Sequence, residues 1–131
     1  MIGLDTNVLV RYLTQDHPEQ ASRTNELLET RCSRDTPCRI SLIVLCELVW
    51  VLSGAYGYEK SQIVRVLEGI LSSSELWVED EGVARSALAA FQSGPADFAD
   101  YVIACGNHAA GCEATYSFDR KLVQHPQVRE V

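Results

Sequence analysis

The chain reads as an α/β protein, a three-layer α/β/α arrangement around a central, mainly parallel sheet. Two observations predict the class. Short apolar runs of strand type alternate with segments of helical period from end to end. No repeat, low-complexity stretch or linker interrupts them, and 131 residues suit one domain, 1–131, with a substantial core. In sheets of this kind ligands sit beyond the carboxyl ends of the strands. That is where the most informative residues fall.

Ile2–Leu4 reads as a short buried strand. Thr6–Thr14 follows with Val8, Leu9, Tyr12 and Leu13 at helical spacing, the inward face. Pro18, in the first-turn position proline tolerates, opens a helix to about Arg34 that turns Ala21, Leu27, Leu28 and Cys32 inward. Asp35-Thr36-Pro37 breaks it, and Cys38–Ile40 is a strand. Ser41 caps a long apolar helix that ends near Gly54–Gly57. A helix from about Glu59 to Ser72 places Ile63, Val66, Leu67, Ile70 and Leu71 on one side. After the serine loop, Leu76–Val78 is a strand, and Asp80 caps a helix through Phe91. Ser93-Gly94-Pro95 is a break. Asp97 opens a helix that Gly111 closes, Ala114–Ser117 is a last strand, and Asp119 starts a short terminal helix.

Composition narrows the function classes. The apolar fraction of 47% and charged fraction of 22% are those of a soluble globular chain. No apolar run reaches the roughly 20 residues that span a bilayer, and no secretory leader is visible, so cytoplasm is the expected location. The net charge of −7 argues against a general nucleic-acid binder with a basic patch. Nine arginines against two lysines nevertheless suit phosphate contact, because a guanidinium grips phosphate as a fork.

Five cysteines, an odd number without a CxxC pair, read as reduced thiols filling the core. Cys105, His108 and Cys112 share one helical face. They read as a buried stripe facing the sheet rather than as zinc ligands, since a fourth ligand is not evident. His17, His108 and His125 are scattered. No phosphate-binding glycine loop, GxSxG or HExxH motif is present.

Five acids stand out: Asp5, Glu47, Asp97, Asp100 and Asp119. They carry five of the seven surplus negative charges, so the acidity is concentrated. Asp5 and Asp119 follow strands. Asp5, Asp97 and Asp119 each also precede a helix, where an aspartate is a good cap. Glu47 cannot be a cap. It is the only charged residue between Arg39 and Glu59, among Leu45, Cys46, Leu48, Val49 and Trp50. If buried, it requires a cation or a proton; an arginine partner or an exposed window on the helix would also explain it. Asp100 lies one turn from Asp97, so both face the same side. Converging carboxylates of this kind suit Mg²⁺ or Mn²⁺, hard ions that take oxygen ligands.

Four blocks then carry a resemblance. Gly3-Leu4-Asp5-Thr6-Asn7-Val8-Leu9, Glu47-Leu48-Val49-Trp50-Val51-Leu52, Ala96-Asp97-Phe98-Ala99-Asp100-Tyr101 and Gly111-Cys112 leading to Ser117-Phe118-Asp119 occur in the order and at the intervals of PIN-domain nucleases. More narrowly, the chain resembles the VapC-type toxins of bacterial toxin–antitoxin pairs. The resemblance implies a compact α/β/α sandwich and Mg²⁺- or Mn²⁺-dependent hydrolysis of RNA. Asp5, Glu47, Asp100 and Asp119 match the family's four acids, Asp97 an additional one, and Asp5 and Asp100 are the metal ligands it implies. Asn7 and Ser117 match supporting polar positions, although the family more often has threonine at the latter. Arg120-Lys121-Leu122 departs from the acidic residue and phenylalanine of many relatives, which bears on the terminal helix.

The same resemblance implies a homodimer and a cognate antitoxin protein as partners, with no membrane. Trp50, Leu52, Tyr56 and Tyr58 are candidate surface for either partner, or else core. Two alternatives compete. One is a non-catalytic PIN-like module with an acidic groove that binds a basic peptide. The other is a phosphatase of the haloacid dehalogenase type, disfavoured because Asn7 stands where that class needs a second aspartate and only Lys60 and Lys121 could serve as its lysine.

Overall fold

The computed structural model describes residues 1–131, which divide into two compact units, Met1–Glu79 and Asp80–Val131. Every strand pairing in either unit is parallel. No helix is long and apolar enough to cross a membrane.

In the first unit the expected opening strand shrinks to one bridge. The Arg39 N–H donates to the Ile2 carbonyl (2.7 Å), and the Leu4 N–H donates to the Arg39 carbonyl (3.0 Å). Helix α1 (Thr6–Thr14) buries Thr6, Leu9 and Val10, while Tyr12, expected inward, is exposed. Helix α2 (Pro18–Arg31) stops short of Arg34. Cys32 leaves it in extended conformation and is disulfide-bonded to Cys38, the first residue of β1 (Cys38–Ile40). Two of the cysteines are therefore paired, against the expectation of five thiols; Cys46, Cys105 and Cys112 remain free. The sequence carries no sign of this pairing, because a spacing of six residues matches no common cysteine motif and only the turn between α2 and β1 brings the two together.

Ser41 caps α3 (Leu42–Gly54), its hydroxyl accepting from the Val44 N–H at 3.2 Å. Helix α4 (Lys60–Ser72) begins with the Glu59 N–H donating to the Gln62 side chain at 2.8 Å, half of a capping box. Strand β2 (Leu76–Val78) then lies parallel to β1, with Arg39 opposite Trp77. Ile40, Leu45, Leu48, Leu52, Ile63 and Leu67 form the centre of this unit, almost wholly buried. Each such side chain contributes roughly 2 kcal/mol through removal of apolar surface from water. Leu52 thus belongs to the core and not to a candidate partner surface, whereas Trp50 is exposed.

The second unit begins with α5 (Glu81–Ser93). Asp80 occupies its cap position but in left-handed conformation (φ 47°) and without a side-chain capping bond, so the expected cap is not made. Helix α6 (Phe98–Ala109) follows, and the Phe91 and Phe98 rings meet edge to face at 6.0 Å. Close packing fixes a glycine in the break between the helices. A Cβ on Gly94 would run into the Tyr101 hydroxyl, which accepts from the Ala96 N–H at 3.1 Å. Glycine is required there by close approach, and the contact locks the entry to α6.

Strand β3 (Thr115–Ser117) pairs with β4 (Val128–Glu130), with Thr115 opposite Val128. Strand β4 was not expected, because its segment has no apolar run. Leu122–Gln124 forms one 3-10 turn in place of the expected terminal helix. Cys105 is buried but His108 and Cys112 are exposed, so these three do not form a buried stripe.

Candidate functional site

The two units contribute separate sets of acids. In the first unit Asp5 and Glu47 are both exposed, so the buried-carboxylate reading of Glu47 does not hold; it looks out of the window on α3. What holds the pair is a residue that sequence reasoning passed over. The Thr6 N–H donates to Asp5 Oδ1 at 2.8 Å, and the Thr6 hydroxyl donates to Glu47 Oε1 at 2.9 Å. Thr6 is itself buried, one of two buried polar residues in the chain. It therefore acts as a fixed post to which an α1 cap and an α3 side chain are both tied across 41 positions of sequence. A β-branched polar residue directly after the first acid was the available signal.

Asn7 is exposed on α1 and lines a shallow cleft of about 390 Å³ with Arg11, Gln20, Arg23 and Thr24. Arg11 is engaged by Gln20, Asp16 and Tyr56. Two guanidinium groups, of Arg11 and Arg23, thus lie beside Asn7 in this otherwise acidic chain.

In the second unit Asp97 is the N-cap residue of α6, yet its carboxylate makes no capping hydrogen bond. The capping explanation weighed for Asp97 is not realised, which leaves the carboxylate available. Asp100 lies in the first turn of α6 and is half-buried. Burial pushes its carboxyl above the ordinary value of 3.8, the charges of Asp97 and Asp119 push the same way, and only the Asp97 backbone N–H opposes them. Asp97 and Asp119, from two segments, thus both lie within electrostatic reach of Asp100.

Asp119 is exposed, and its Oδ1 accepts from the Lys121 and Leu122 N–H groups at 2.8 and 3.3 Å, so here capping is real. Ser117 supports it: the hydroxyl accepts from the Asp119 N–H at 3.0 Å. Serine in place of threonine keeps that acceptor.

No group of three or more His, Cys, Asp or Glu side chains stands ready to hold a metal ion. The chemistry of the donors still fits one class of ion. Every candidate ligand offers carboxylate oxygen, and the charged form of Asp100 is disfavoured by burial and by the nearby charges of Asp97 and Asp119, which a cation would offset. Hard ions such as Mg²⁺ and Mn²⁺ suit that set; zinc favours thiolate and imidazole.

Fold and site together define an α/β protein with parallel strands and a concentration of acids at strand ends and helix starts. A family model described as PIN domain matches residues 2–127, and the chain belongs to that family. The α/β class expected from the sequence stands, and a nuclease-type function goes with the family, whose chemistry typically uses divalent metals. No curated protein matches the chain.

Proposed function

We propose that the protein is a Mg²⁺- or Mn²⁺-dependent endoribonuclease, the toxin of a VapC-type toxin–antitoxin pair acting in the cytoplasm. The observation that carries the reading is the partly buried carboxylate of Asp100, with the charges of Asp97 and Asp119 near it. A half-buried carboxylate held beside Asp97 and Asp119 is arranged for a cation rather than for stability alone. Asp5 and Asp100 are the residues proposed as metal ligands, on the family resemblance. When bound, the ion would supply Lewis-acid polarisation of a phosphate oxygen and a lowered pKa for the attacking water.

The chain's own residues do the positioning. Thr6 keeps Asp5 and Glu47 at fixed separation, so neither swings away when substrate enters. Ser117 and the Lys121 and Leu122 amides fix Asp119. Asn7, Arg11 and Arg23 line a cleft suited to the RNA backbone. Ile43 and Trp50, exposed one turn to either side of Glu47 on α3, suit a protein partner such as an antitoxin segment or a second copy of the chain.

The test is cleavage of an RNA pool by the purified chain, with Mn²⁺ and with EDTA, beside Asp5→Asn and Asp100→Asn. The wild type should cut only with metal, and both variants should be inert while folded. Full activity in either variant rejects the ligand assignment. Absence of metal uptake in a calorimetric titration would instead identify a non-catalytic module with an acidic groove.

A further inference from the structure

We propose that the Cys32–Cys38 disulfide is a redox-addressable staple whose oxidised state holds the segment bearing Asp5; its consequence for metal binding rests on the reading of Asp5 as a ligand. The pair joins the first residue beyond α2 to the first residue of β1, with Cα atoms 5.2 Å apart. The next residue along β1 is Arg39. Its N–H and carbonyl make the two backbone bonds that anchor Ile2 and Leu4, and those two bonds are the whole of that segment's strand pairing. Asp5 follows Leu4 directly. The order of contacts therefore runs from cystine to β1, from β1 to residues 2–4, and from there to the first acid.

The two residues differ slightly in exposure, although both are buried. Cys38 is 0% exposed, whereas Cys32 is 6% exposed and lines a groove of about 400 Å³ with Leu9, Tyr12, Leu28 and Ile70. A thiolate entering the groove would meet Cys32 rather than Cys38 and attack its Sγ. It forms a mixed disulfide there, and Cys38 leaves as thiolate and takes up a proton. The second thiol of a dithiol reductant then attacks the mixed disulfide, releasing Cys32 as a thiol. Two electrons and two protons pass from the dithiol to the cystine, and the dithiol becomes a disulfide. After reduction the exposed turn between α2 and β1 keeps the Ser33 N–H bond to the Thr36 carbonyl and the Ser33 hydroxyl's bond from the Thr36 N–H. The start of β1 then loses its covalent tie to α2. In a reducing compartment the thiols are the resting state, so oxidation would be the signal that tightens the Asp5 segment.

The experiment compares the full chain after air oxidation and after treatment with dithiothreitol. Thiol titration in denaturant should count three thiols in the first sample and five in the second. Amide hydrogen exchange at Leu4, read by NMR, should be at least about tenfold faster after reduction. Cys32→Ser should exchange at the fast rate under both conditions, and Cys46→Ser should respond like the wild type. Five thiols after air oxidation, or equal Leu4 exchange in the two states, would overturn the proposal. Mn²⁺ titration is read separately, with weaker uptake expected after reduction. A redox-dependent Leu4 rate without Mn²⁺ uptake in either state would uphold the staple and reject the metal reading.

Discussion

The two units treat their acids in opposite ways. In Met1–Glu79, Asp5 and Glu47 each receive a hydrogen bond from Thr6, a neutral donor, and both side chains face water. In Asp80–Val131, Asp100 is partly withdrawn from water and set beside Asp97 and Asp119. The first set is satisfied as it stands. In the second, burial and then the neighbouring charges of Asp97 and Asp119 disfavour the charged form of Asp100.

The largest effect should come from the crowded set. Asp100→Asn is expected to lower RNA cleavage on the order of a thousandfold. The same change should raise the metal-free melting temperature in calorimetry, because it removes a partly buried charge and its repulsion by Asp97 and Asp119. A fall in metal-free stability would break the comparison. The pH dependence has a definite sign. Asp100 binds its proton more tightly in the folded protein than in the unfolded chain, so its contribution is fully present below 3.8 and is lost as pH rises through its elevated folded value. Urea melts of the wild type across that range should show the loss, and Asp100→Asn should flatten it.

Gly94→Ala tests whether the entry to α6 is built by close packing. The added methyl collides with the Tyr101 hydroxyl and should cost about 1–3 kcal/mol in urea denaturation. A neutral result would show that the loop before Asp97 yields. Reducing Cys32–Cys38 should lower stability by about 2 kcal/mol, the loop-closure value for so short a ring, in melts with and without dithiothreitol.

Thr6→Val sharpens the contrast from the held side. It keeps the amide bond to Asp5 and removes the hydroxyl bond to Glu47, so stability should fall by only about 1 kcal/mol. Cleavage should fall about tenfold through kcat, with Thr6→Ser restoring it. An unchanged kcat would show that Glu47 needs no post. The smallest effect belongs to Arg23→Ala, which should weaken RNA binding a few-fold and reduce the salt slope of the affinity by about one.

The candidate acids were picked out because acids at helix starts and strand ends stand out in a one-dimensional pattern. Asp97 and Asp119 show the limit of that reading. Both precede a helical turn, and capping was a fair explanation of each, yet only Asp119 caps with its side chain. The decision depends on side-chain rotamer and local turn, which residue type does not encode. Glu47 shows the converse. Its apolar neighbours in sequence suggested burial, but a helix turns a new face outward every residue, and Glu47 shares its exposed face with Ile43 and Trp50.

The sequence alone determined the alternation of elements, the bounds of α1, α3 and β2, and which acids to watch. These follow from apolar period, capping residues and glycine or proline breaks, all of them local. Tertiary structure decided the rest. Thr6 reaches Glu47, Cys32 meets Cys38, Gly94 receives Tyr101, and Val128–Glu130 becomes a strand only because β3 offers it an edge. Each depends on segments meeting in space, and a contact of that kind leaves no period in the chain for local reading to find.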